Sequence, residues 1–93
     1  MDPQGRAVAA KTQIDAKFVG LIKDGTIADT VAEVHGMGDQ RQPAVSIHLA
    51  HEQPSQDLVD KLWSETAEFR EEGVSIAISR RAPGQEDAEV FRG

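Results

Sequence analysis

The chain has 93 residues, a formal charge of −6 and no cysteine. That length fits one domain with a modest core, and the absence of thiols excludes a disulfide scaffold, a thiolate metal site and a cysteine nucleophile. The acidic balance, with a sequence pI near 4.9, argues against direct contact with a nucleic-acid backbone or an anionic membrane, both of which call for clustered Lys and Arg. Apolar residues at 39% and charged residues at 28% are ordinary globular values, so the chain is expected to fold.

Residues 1–12 read as a flexible tail, since Asp2, Pro3, Gln4 and Gly5 are polar or helix-breaking, although Ala7 to Ala10 could extend a helix. This polar start does not have the pattern of a signal peptide, and no apolar run is long enough to span a bilayer, so a cytoplasmic location is the expectation. Residues 14–23 carry two periodicities. Ile14, Ala16, Phe18, Gly20 and Ile22 alternate as in a strand, whereas Ile14, Phe18, Leu21 and Ile22 also share one helical face. The short run Phe18 to Ile22, apolar on both faces and closed by Asp24-Gly25, favours a buried strand over 17–23.

Residues 26–36 fit a helix, with Ile27, Val31 and Val34 on one side and Thr26 and Asp29 as a capping pair. The competing arrangement is an extended segment turning through Gly36-Met37-Gly38-Asp39. A strand is expected over 44–50. A loop follows, and then Ser55 caps a helix over 56–72, with Asp57 in its first turn. Leu58, Val59, Leu62, Trp63, Thr66 and Phe69 make its apolar stripe and Gly73 ends it. Val74, Ile76 and Ile78 alternate in a strand reaching about Ser79, Pro83-Gly84 turns the chain, and Val90-Phe91 suits a short docking segment.

The expected organisation is therefore an N-terminal tail (1–12), one compact domain (13–81) and a C-terminal tail or docking segment (82–93). The fold class is α/β or α+β, in two or three layers. A strand-helix-strand-helix-strand order would build a sheet of three or more strands. A strand meander crossed by one helix is the alternative.

The segment Phe18 to Thr30, with Asp24-Gly25-Thr26-Ile27 after an apolar run, resembles the first motif of the haloacid-dehalogenase-like phosphohydrolases. The stretch from Phe69 to Arg81, ending in Ser79-Arg80-Arg81, is similar to that family's second motif. The resemblance implies a phosphate-binding role for Asp24, Gly25, Thr26, Ser79 and Arg80. In that family a carboxylate attacks phosphorus, and a second one two residues on handles the leaving-group proton. Here Ile22 occupies the nucleophile's position, so the resemblance implies a catalytically incomplete domain.

Other chemistry-bearing residues suggest less. His48 and His51 lie three apart on a strand running into a loop, a spacing that sends them to opposite faces. With His35, Asp39 and Glu52 they form no metal-binding pattern. None of Ser46, Ser55, Ser64, Ser75 and Ser79 sits in a Gly-x-Ser-x-Gly turn. Neither a metal nor a cofactor is expected. Glu65, Glu68, Glu71 and Glu72, with Asp57 and Asp60, load the outer part of the main helix, and Trp63 could anchor a partner beside them. The leading expectation is a non-enzymatic interaction module, such as an accessory subunit, inhibitor or assembly factor. It would use Glu65, Glu68, Glu72 and Trp63 to bind another protein with a basic surface. The alternative is the phosphate-binding domain, and a DNA mimic is disfavoured because the acids are spread along the chain. The oligomeric state is left open.

Overall fold

A computed structural model of the chain describes residues 2–80 and 89–93. It opens with α1 (Pro3–Lys17), where the Asp2 carboxylate accepts the Gly5 N–H at 2.7 Å and Pro3 supplies a preset φ in the first turn. Ala7, Ala10, Ile14 and Phe18 recur at helical spacing along its buried side. After a break at Phe18 the chain continues as a short helix, α2 (Val19–Lys23).

This corrects two expectations. Residues 3–12, read as part of a tail, are the first turns of α1, with Ala7 and Ala10 in contact with the core. The strand expected over 17–23 is instead the end of α1 followed by α2, because Phe18 prolongs the buried helical stripe and Leu21 packs against the same core. Gly25, at a φ of 85°, then turns the chain into the sheet.

The helix expected over 26–36 is also corrected: β1 (Ile27–His35) is extended and pairs antiparallel with β2 (Gln42–Leu49) along its length. Pairing with β2 outweighs the modest helical pattern of its alanines and acids. The competing hairpin arrangement describes this region. Its turn uses Gly36 at a φ of 93°, where an added Cβ would collide with the Gln40 carbonyl oxygen.

Ser55 caps α3 (Gln56–Glu65), its hydroxyl oxygen accepting the Leu58 N–H at 3.2 Å. The single helix expected over 56–72 is broken at Thr66. The buried Thr66 hydroxyl lies 2.8 Å from the Leu62 carbonyl oxygen and 3.0 Å from that of Trp63, competing with the backbone ladder. The chain resumes as α4 (Ala67–Glu71) and stops at Gly73, whose φ is 91°. It then enters β3 (Ser75–Arg80), which runs parallel to β2, and β4 (Glu89–Arg92) returns antiparallel to β3. The Val90-Phe91 segment is thus an edge strand, while Arg81 and the expected Pro83-Gly84 turn lie outside the described residues.

The result is a small compact α/β domain with a four-stranded mixed sheet in the order β1-β2-β3-β4. In place of strand-helix-strand-helix-strand, the observed order is two helices, two strands, two helices, two strands. Val45, Ile47 and Leu49 of β2 and Ile76 and Ile78 of β3 meet Ile14, Phe18, Val59, Leu62 and Phe69 from the helices in one buried cluster. Among the described residues, no helix is long and apolar enough to cross a membrane.

Candidate functional site

Strand alternation divides the sheet into two faces. The residues between the core positions, Ala44, Ser46 and His48 on β2 and Ser75, Ala77 and Ser79 on β3, point away from the helices; Ala44, His48 and Ser79 are nonetheless buried, and Ser46, Ser75 and Ala77 keep some exposure. All except His48 are short. Asp29, Val31 and Glu33 of β1 extend this face to the sheet edge and place two carboxylates there.

His48 is held in place across the sheet. Its Nδ1 lies 2.6 Å from Asp29 Oδ1 on the neighbouring strand. An ionised carboxylate can only accept, so Nδ1 carries the proton and donates. The registers put Asp29, His48 and Ser79 in one row over three strands. The row resembles a hydrolytic triad in composition only, because no hydrogen bond joins Ser79 to His48 and Ser79 is just 2% exposed, closed to a substrate.

The residues expected to bind phosphate lie at one end of the sheet, on either side of β2. Asp24, Gly25 and Thr26 form the turn from α2 into β1, while Ser79 and Arg80 end β3, with β2 between them. The segment before Asp24 is helical, not the strand of the resembled motif. Asp24 is spent on its own turn, where its Oδ1 accepts the Thr26 N–H at 2.9 Å. The Thr26 hydroxyl, then this N–H, with a further contribution from the positive potential of His51, hold the Asp24 carboxyl below its usual range. It therefore presents a negative charge where an anion would have to enter. Ser79 and Arg80 alternate to opposite faces, and Arg80 Nη2 reaches Glu52 Oε1 at 3.5 Å.

Of the residues expected to bind a partner, Trp63 and Glu65 lie on α3, Glu68 on α4 and Glu72 just after it, and the fold engages the side chains of Glu68 and Trp63 and the backbone of Glu65 and Glu72. Lys17 of α1 donates to the Glu65 carbonyl oxygen at 2.6 Å and pairs with Glu68 at 3.1 Å, and Arg6 donates to the Glu72 carbonyl oxygen. Trp63 carries the Arg70 guanidinium 3.8 Å and the Arg92 guanidinium 4.8 Å from its ring centroid, and Arg92 also reaches Asp60 at 3.3 Å. These contacts tie α1 to α4 and β4 to the helix layer.

Sequence reasoning missed the Asp29–His48 pair because its partners lie on different strands and only the register joins them. No group of His, Asp or Glu among the described residues could hold a metal ion. In comparison with known proteins, the chain matches no family model, no curated protein and no solved structure.

Proposed function

We propose that this protein is a small non-enzymatic interaction module, an accessory subunit, inhibitor or assembly factor, that docks a basic protein surface on the face of its sheet turned away from the helices. The observation that carries this reading is the chemistry of that face. Short side chains at Ser46, Ser75 and Ala77 leave room for a partner to approach, and Asp29 and Glu33, which also hold His48 and His35, line one side with carboxylates. The protein's formal charge of −6 favours the same class of partner. The acidic flank of α3 and α4 is a poorer dock, since Lys17, Arg70 and Arg92 already engage Glu68 and Trp63. The phosphate-binding alternative is the weaker reading because the Asp24 carboxylate is held in its own turn and Arg80 pairs with Glu52.

The test is affinity capture from the native host with three tagged proteins: wild type, a Ser46→Arg/Ala77→Arg double variant and a Glu65→Lys/Glu68→Lys double variant. Circular dichroism verifies that each is folded. A stoichiometric partner lost with the arginine pair, kept with the lysine pair and released by high salt is the expected result. Loss with the lysine pair alone moves the dock to the helices. A folded wild type that captures nothing overturns the proposal.

A further inference from the structure

One edge of the sheet holds a second, independent feature. β1 is the outermost strand, so one row of its backbone N–H and C=O groups has no partner among the described residues. Edges of this kind are usually blunted by charged side chains, above all lysine, by proline, by bulges or by extreme shortness. β1 has nine residues and carries neither lysine nor proline. Its one irregularity is a bulge between Ile27 and Asp29, which leaves 29–35 regular.

Beside this edge runs an exposed apolar shelf. Val19 and Ile22 of α2 and Ala28 of β1 line a groove with Lys11, Asp15 and Thr30, and Val19 is 49% exposed. At the other end of β1, in the hairpin turn, Met37 is 88% exposed.

We infer that β1 pairs antiparallel with β1 of a second copy of this chain, joining two sheets into one of eight strands. The regular stretch 29–35 is symmetric about Ala32, so a two-fold axis there uses its whole length. This register sets Asp29, whose other oxygen is left by the His48 contact, opposite the partner's His35, twice, where it would share that imidazole with Glu33, and it sets Thr30 opposite the partner's Val34. A two-fold centred one residue earlier, on Val31, would set Asp29 against the partner's Glu33, a like-charge contact that disfavours it. The favoured register also brings the partner's hairpin turn, with the partner's Met37, alongside the groove of Val19, Ile22 and Ala28. Two exposed apolar features of the single chain thereby cover each other. The inference is tested on the pure chain and does not rest on capture of a basic partner, although Asp29 and Glu33 border both the edge and the face turned away from the helices.

The test is sedimentation equilibrium of the pure full chain over a concentration series. The mass is expected to rise from 10.1 kDa towards twice that value. Met37 and His35 are exposed, and because His35 Nε2 lies 2.8 Å from Glu33 of its own strand, circular dichroism verifies that each variant is folded. Met37→Asp is expected to hold the protein monomeric. His35→Asp turns both Asp–His contacts into Asp–Asp contacts and is expected to weaken association by roughly tenfold or more. Amide exchange should slow over 29–35 only at concentrations where the dimer forms. A wild type that stays at 10.1 kDa to millimolar concentration overturns the inference, as does a dimer indifferent to both variants or one that protects β4 instead.

Discussion

The two faces of the sheet are written by alternate letters of the same strands, yet they have opposite chemistry. On β2, Val45, Ile47 and Leu49 lie under the helices while Ala44, Ser46 and His48 look away from them; on β3 the same division separates Ile76 and Ile78 from Ser75, Ala77 and Ser79. Branched aliphatic side chains fill the space between sheet and helices, and short ones leave the other face level. Most of the apolar burial therefore lies on one face, although Ala44, His48 and Ser79 on the other are buried as well.

The sharpest way to break this comparison is a pair of truncations on one strand. Ile47→Ala opens a cavity in the buried cluster and is expected to cost about 3 kcal/mol in urea unfolding. Thr66→Val keeps the volume but leaves the Leu62 and Trp63 carbonyl oxygens without their hydroxyl, and is expected to cost about 1 kcal/mol by the same measurement. Ser46→Ala, next to Ile47 but on the open face, is expected to stay within about 0.5 kcal/mol of wild type. If Ser46→Ala costs as much as Ile47→Ala, something covers that face and the contrast fails.

The smallest effect belongs to Asp24. Its folded pKa is lowered by the Thr26 hydrogen bonds, so its contribution is fully present above the unfolded value of 3.8 and is lost as pH falls below 3.8 through the folded value. Asp24→Asn is expected to reduce the pH dependence of stability in that acid window and leave acid unfolding otherwise alike. An unchanged acid profile would mean that the turn's hydrogen bonds do not favour the charged carboxylate.

The strands at 42–49 and 75–80, the Ser55 cap and the Gly73 stop were legible because each is marked by local chemistry: alternation, a hydroxyl before a helix, a residue free to take positive φ. The first third was not. Asp2-Pro3 is a helix start, but Gly5 three residues on made it resemble a tail. Phe18 to Ile22 is too short for periodicity to separate a buried strand from the end of a helix. For 27–35 the deciding partner was β2, which lies further along the chain. The same limit hid the Asp29–His48 pair and the ties from Lys17 to Glu68 and from Arg92 to Trp63.

The parallel pairing at the centre of the sheet sets an order of assembly. The β1–β2 hairpin closes through residues 36–41 and can form early. The rungs between β2 and β3 must wait until 50–74 have folded across the sheet, and β4 can add only once β3 is in place. The slow event is thus the meeting of β2 with β3, whose central residues Val45, Ile47, Ile76 and Ile78 are among the most deeply buried. Their amides should be the last to exchange with solvent and those of β4 among the first, so the strands with the most distant partners in sequence would also be the most durable.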